Sequence, residues 1–445
     1  MRLRLLVPRR GRGRGLGGLA AVALAGAALA AAGVLLLTGD GDAPRPRPVP
    51  VPTPTPAAAA PLDAPADGPS LALGITEPNP NLVAAPGART VPPEWTSWRD
   101  ELARIRPAVY RLVVVWSVVQ PRADAPPDLA RLDLGCMRAV QPCAPYAGLR
   151  DQLRALASRQ REGGWQGMVV ITGTPDWAAA PANGCRRGTQ FGAVRAAALP
   201  AYRRLIADVL TVARAEGADL RFLSPWNEPN HPYFLSPQRA RCDAGAPSRA
   251  VGSYAALATA MRDELDAQPG DQRLVLGETA GLLEPSTRAT SVREMIRGLP
   301  RELVCSAPVW SQHAYIGGTD PVATVTAALA TRRCPRPHAI WITETGVGPA
   351  PEGFSLSRGI TSERQGCGLL HQRLTRWYRN SRVTLAVQYT FREDDLFPTG
   401  LVTTDLKRAR AALGEWQAWG ARPSPTTRPQ PRKCKEGQTP VRAPK

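Results

Sequence analysis

The stretch Arg221-Phe-Leu-Ser-Pro-Trp-Asn-Glu-Pro-Asn230 decides how the rest of the chain reads. An apolar run through Phe222 and Leu223 stops at Pro225. Trp226, Asn227 and Glu228 follow before a second proline, Pro229. Proline fixes its own backbone and pushes its predecessor out of the helical region, so this is a buried strand with a stiffened exit. Its C-terminal end presents an amide and a carboxylate beside an aromatic ring. That mixture suits a polyhydroxylated ligand with hydroxyls on its edges and C–H groups on its faces.

Outward from this strand, the same texture repeats. Strands are expected at 71–76, 108–116, 167–172, 220–224, 273–277, 308–312, 339–343 and 383–389. Helices are expected at 93–105, 147–160, 196–216, 253–267, 290–299, 322–332, 364–378 and 407–419. Eight strand-then-helix units in a row, with strands that are continuous apolar runs, imply a parallel sheet buried on both faces. Over about 350 residues the pattern predicts a (β/α)8 TIM barrel, an α/β fold, rather than a doubly wound sheet. No Gly-x-Gly-x-x-Gly or P-loop follows the first strand, which weighs against a nucleotide site.

The flanks have other compositions. Residues 1–14 carry six Arg and no acid, and 15–39 are uncharged and rich in Ala, Leu and Val. That stretch is long enough for a transmembrane signal anchor, with a cleaved signal peptide as the alternative; either places the body outside the cytoplasm. Residues 40–69 read as a Pro/Ala-rich linker, 70–420 as the barrel and 421–445 as a disordered basic, Pro-rich tail. The formal net charge of +19 is concentrated in the two ends. A basic end beside an anionic envelope accounts for it, and a nucleic-acid partner is not expected. The eight cysteines include no Cys-x-x-Cys pair and there are only four His, so no zinc spacing appears. An even count in an exported chain reads as disulfides, with Cys136–Cys143 and Cys305–Cys334 as guesses at pairing.

In a TIM barrel the chemistry lies at the C-terminal ends of the strands. Collected there are Glu77, Asn79 and Asn81; Arg111 and Trp116; Asp176 and Trp177; Trp226, Asn227 and Glu228; Glu278; Gln312, His313 and Tyr315; Glu344; and Tyr389 through Asp394. Strands four and seven can face each other obliquely across the mouth. They can bring Glu228 and Glu344 to the roughly 5–5.5 Å at which one carboxyl donates a proton and the other attacks. Glu278 reads as support or substrate contact. Buried Arg111 requires a carboxylate partner. His313 reads equally as a satisfied core residue or a ligand contact. Trp116, Trp177 and Trp226 are expected to divide between core and cleft wall. Arg392, Glu393 and Asp394 read as a surface ion cluster.

SPWNEPN (224–230) and WITETGVG (341–348) resemble the two catalytic strands of glycoside hydrolase clan A, the retaining TIM-barrel glycosidases. YRLVVVWS, TPDWA, SQHAYIGG and GLVTTDLKRARAALGEW extend the resemblance over most of 71–420, and it is most like families 39 and 5. The resemblance implies Glu228 as general acid/base and Glu344 as nucleophile. It also implies Asn227 on a sugar 2-hydroxyl, Arg111 and Tyr315 against Glu344, and His313 on the same wall. The eighth strand departs from the pattern: Gln388-Tyr389-Thr390-Phe391 stands where the clan offers a tryptophan platform.

The implied activity is retaining hydrolysis of a β-linked glycan or glycoside by a monomer, with no cofactor and no metal. A transglycosidase remodelling envelope glycans would use the same two acids. A surface glycan-binding protein on the same barrel is the reading from a different class. A metal-dependent hydrolase is disfavoured, since no His-x-His ends the first strand.

Overall fold

Eight parallel strands close into a barrel in strict chain order, β1 pairing with both β2 and β8. They are β1 Ala72–Thr76, β2 Val109–Val115, β3 Gln166–Thr172, β4 Leu220–Ser224, β5 Arg273–Thr279, β6 Val309–His313, β7 Ala339–Thr345 and β8 Val383–Tyr389. This computed structural model describes residues 61–434 except 92, 132–147, 182–183, 186–190, 349–358, 394–396 and 430. The described residues all belong to the unit Ala58–Lys445.

The outer ring includes α1 Pro80–Val83, α2 Pro93–Ala103, α3 Trp116–Val119, α4 Leu149–Glu162, α5 Leu199–Ala215 and α6 Ala250–Ala267. It continues with α7 Val292–Gly298, α8 Arg301–Ser306, α9 Val322–Ala330, α10 Glu363–Tyr378 and α11 Ala411–Gly420. Alternation along each strand sorts side chains into two cores. Leu112, Val114, Val169 and Leu223 face the helices. Val109, Met168, Phe222, Val275, Val309, Trp341, Leu385 and Val387 fill the barrel floor, where the Phe222 and Trp341 rings meet edge to face at 4.6 Å.

Two boundaries move. The segment from Leu62, expected to be spacer, belongs to the barrel floor: the Leu62 carbonyl accepts from Trp341 Nε1 (2.9 Å) and Thr384 Oγ1 (2.6 Å). Of residues 421–445, expected to be a disordered tail, 421–429 and 431–434 are described and pack on the barrel. Arg422 is buried, lies 4.5 Å over the Trp419 ring, and donates to the carbonyls of Leu71, Pro425 and Thr427. Cys434 ties this segment to α10 through Cys367. Cys305–Cys334 pairs as expected, and Cys185–Cys242 joins the loops after β3 and β4. Cys136, Cys143 and residues 1–60 lie outside the described residues, and with them the expected anchor or signal peptide and most of the expected linker. Among the described residues no helix is long and apolar enough to cross a membrane.

Candidate active site

Strands β5 and β7 depart from regular geometry where they present polar groups to the barrel mouth. On β2 nothing special is needed: Val109 lies in the floor and Arg111, two residues on, shares its face. On β5 the alternation that buries Val275 inside would turn Glu278 outward. A register shift between Leu276 and Thr279 reverses this. Gly277 sits there at φ +107, and a Cβ on it would lie 2.1 Å from the Ser311 carbonyl oxygen. Glu278 follows at φ 49, its N–H donating to Ser311 Oγ at 2.6 Å. A similar shift between Ile342 and Thr345 precedes and includes Glu344 on β7.

Glu228 too has a left-handed backbone, φ 41, which costs a non-glycine residue roughly 1–2 kcal/mol. The surroundings fix it. Its N–H donates to the Glu278 carbonyl (2.9 Å), the Asn227 N–H to the Ile171 carbonyl (2.9 Å), and the Tyr202 hydroxyl to the Pro225 carbonyl (2.7 Å). Strain held by so many contacts marks a functional site more often than a loop accident.

The side chains then converge. Arg111, fully buried, reaches Glu278 Oε2 through Nη2 (2.5 Å) and Nε (3.1 Å). The same Nη2 donates to Asn227 Oδ1 (2.9 Å) and lies 2.9 Å from Glu344 Oε1. The Tyr315 hydroxyl donates to Glu344 Oε2 at 2.6 Å. His313 Nδ1 is 2.9 Å from Glu228 Oε1 and 3.3 Å from Glu344 Oε2, while its Nε2 is 3.2 Å from Glu278 Oε2. One carboxylate oxygen of Glu228, one of Glu344 and a ring nitrogen of His313 lie within 4.8 Å of one another. The side-chain exposures are 16% for Glu228, 9% for Glu344 and 0% for Glu278, so Glu228 is the most exposed of the three.

The electrostatics follow from burial set against neighbours. Burial alone would raise the Glu278 carboxyl, but Arg111 and His313 outweigh it and hold it at about 2. Burial opposes charge on His313, yet Glu344, Glu228 and Glu278 push its pKa up to about 10. Burial raises Glu344, as does the charge of Glu228, against the downward pull of His313, Arg111 and the Tyr315 hydroxyl. Burial and the Glu344 charge keep Tyr315 protonated, as a donor.

Of the residues singled out in the sequence, Arg111, Asn227, Glu228, His313, Tyr315 and Glu344 are in mutual contact around Glu278. The tryptophans are not. Trp116 and Trp226 are fully buried and their indole N–H groups are already used, donating to Gln120 Oε1 and the Phe234 carbonyl; they are core, not cleft wall. Trp177 is half-buried, edge-on to Trp116 at 5.4 Å, its N–H on the Gln120 carbonyl. Arg392 and Glu393 are buried rather than on the surface: Arg392 lies 5.4 Å over the Trp95 ring, and Glu393 pairs with Arg410 at 2.5 Å. Asp394 lies outside the described residues.

Tyr315, Tyr389 and Phe397 form an aromatic cluster beside Glu344, with the Phe397 ring centroid 4.8 Å from that of Tyr315 and 5.7 Å from that of Tyr389. Half-buried Tyr389 occupies the β8 position where the tryptophan was missing. Phe397 had no signal in the sequence beyond an aromatic before Pro398.

No protein-family model matches the chain, and no curated protein matches it. Among solved structures it is similar to SrfJ from Salmonella typhimurium, 11% identical with a TM-score of 0.50, over 81% of this chain and 75% of that one. A family 30 endoxylanase from Clostridium papyrosolvens is 11% identical with a TM-score of 0.49, over 82% of this chain and 75% of that one. A family 39 glycoside hydrolase from Bacteroides cellulosilyticus is 13% identical with a TM-score of 0.47, over 80% and 63%. At such identities the likeness is one of fold.

Proposed function

We propose that this chain is a retaining glycoside hydrolase acting on β-linked glycans outside the cytoplasm. The observation that carries the reading is the Glu228–Glu344 pair, with carboxylate oxygens within 4.8 Å at the strand ends of a closed barrel. Retaining glycosidases need about 5–5.5 Å between the two carboxyls, whereas inverting ones leave room for a water at about 6.5–9.5 Å. The motif resemblance to clan A names the same two residues, and the three formed disulfides favour an oxidising compartment.

In the first step Glu228 gives its proton to the departing glycosidic oxygen as a Glu344 oxygen bonds the anomeric carbon. Water, deprotonated by Glu228, then breaks that ester bond, returning the proton to Glu228 and the carboxylate to Glu344. Arg111, His313 and Tyr315 supply the positive charge and the donor that keep Glu344 an aimed carboxylate. With the Glu228 proton in place, the like charge that pushes Glu344 up is gone. Asn227, gripped by Arg111 through Oδ1, keeps its Nδ2 as a donor for the sugar 2-hydroxyl. Substrate in place of water inside this cleft would make the same cycle a transglycosylation, with a sugar hydroxyl ending the second step.

The test is turnover of aryl β-glycosides and envelope polysaccharides by the wild type, Glu228→Ala and Glu344→Ala. Each variant should lose more than about a thousandfold in rate. Azide should restore Glu344→Ala, giving an azide product of inverted configuration. Undiminished turnover in either variant refutes the assignment, and binding of a glycan without cleavage by the wild type would make the chain a glycan-binding protein.

A further inference from the structure

We propose that Glu278 is a positioning residue that keeps His313 as an imidazolium wedged between Glu228 and Glu344, so that the ring, and not solvent, fixes which oxygen of Glu228 carries the transferable proton. This rests on the two-carboxylate reading above and assigns a job to the buried acid beside the pair, which that reading leaves unused.

The geometry around the ring is the reason. Carboxylate oxygens accept, and His313 has one at each end: Glu278 Oε2 at 3.2 Å from Nε2, and Glu228 Oε1 at 2.9 Å from Nδ1. A neutral imidazole has one N–H and one lone pair, so either tautomer would aim a lone pair at an oxygen lone pair. With Oε1 of Glu228 unprotonated, only the doubly protonated ring satisfies both ends. The charged groups facing it are Glu228 after β4, Glu278 on β5 and Glu344 on β7, the last 3.3 Å from Nδ1. Arg111 on β2 stands behind Glu278 and Glu344, and Tyr315 bonds Glu344 from the loop after β6.

Two cations and three carboxylates leave this buried set neutral when it holds one further proton. Glu278 is wholly enclosed and engaged by Arg111 and His313, and Glu344 by Arg111, His313 and Tyr315. Glu228, at the opening, has Oε1 taken by the ring N–H, and Oε2 is left as the position for the proton. Removing the charge of Glu278 takes away the partner of Nε2, and the ring no longer needs two hydrogens. It then relaxes to a single tautomer, with Nδ1 free to accept from Glu228 rather than donate to it.

The experiment is a two-bond proton–nitrogen spectrum of the full chain labelled with 15N-histidine, from pH 6 to 10. The chain has only four histidines, so His313 is assigned by its loss in His313→Gln. In the wild type both ring nitrogens should carry hydrogen at pH 8. In Glu278→Gln the ring should lose a proton at least two pH units lower, and the alkaline limb of kcat/KM should move with it. A merely structural role would scale that profile down without moving it. A neutral His313 in the wild type at pH 7, or a His313 titration unchanged in Glu278→Gln, overturns the proposal. The wild-type spectrum needs no turnover, and its assignment needs only that His313→Gln folds. A missing glycosidase activity and a missing imidazolium are therefore separate results.

Discussion

Replacing Arg111 by methionine tests the site's electrostatic frame where it is most enclosed. The substitution keeps a long apolar stem and removes one buried positive charge. That charge is shared by Glu278 at 2.5 Å, Glu344 at 2.9 Å and Asn227 at 2.9 Å. Removing one partner of a buried pair leaves the other uncompensated, at about 3–5 kcal/mol. The Glu278 carboxyl gives an independent figure. Held at about 2 instead of 4.5, it contributes roughly 3 kcal/mol at neutral pH at about 1.4 kcal/mol per unit. The sign follows: a depressed acid stabilises fully above its unfolded value of 4.5, and the contribution is lost as pH falls through about 2.

For the unit Ala58–Lys445, an unfolding entropy near 2.1 cal/mol/K per residue gives roughly 0.8 kcal/mol/K. A loss of about 4 kcal/mol then lowers Tm by about 5 °C. Calorimetry at pH 7 and pH 3 reads both terms: Arg111→Met should lose about 3–5 kcal/mol at pH 7 and less than half of that at pH 3. A loss under about 1 kcal/mol at pH 7, or one independent of pH, would show that Arg111 does not carry this charge network.

Two other perturbations are separable from the site. Glu77, buried at the end of β1, accepts from the N–H groups of Asn79 and Arg392, yet burial pushes its carboxyl up to about 7. A raised acid contributes fully below 4.5 and loses that stability as pH climbs through about 7, so Glu77→Gln should flatten the fall in Tm between pH 5 and 8, worth at most about 3 kcal/mol; parallel profiles for the two proteins would contradict this. Cys367→Ser with Cys434→Ser opens a loop with a sequence separation of 67, for which chain entropy gives about 4 kcal/mol. Tm should drop by about 5 °C and limited proteolysis should cut after Ala421, and a double variant that melts and resists like the wild type would refute the disulfide's part in holding that segment.

The barrel was legible because parallel strands buried on both faces read as unbroken apolar runs, and Leu220–Ser224 and Val383–Tyr389 were bounded to the residue. Short pieces were not: α3 and α8 have four and six residues, too few to show a helical period. The inward turn of Glu278 was hidden because strict alternation from Val275 points it outward, and Gly277 alone hinted at the bulge. Trp116 and Trp226 misled because a ring beside a strand end looks the same in sequence whether it turns to the cleft or to the helices. Only the hydrogen bonds to Gln120 and Phe234 decide the matter. The Pro- and Arg-rich texture after Gly420 concealed one buried arginine, Arg422, whose five N–H groups suit the clustered carbonyls of Leu71, Trp419, Pro425 and Thr427.

The spacing of Glu228 and Glu344 is best tested by product stereochemistry. Proton NMR of the first sugar released from a β-glycoside, recorded before the anomers equilibrate, should show the β-anomer, the outcome of a double displacement on a pair spaced at about 5–5.5 Å. An α-anomer formed first would contradict the double-displacement account.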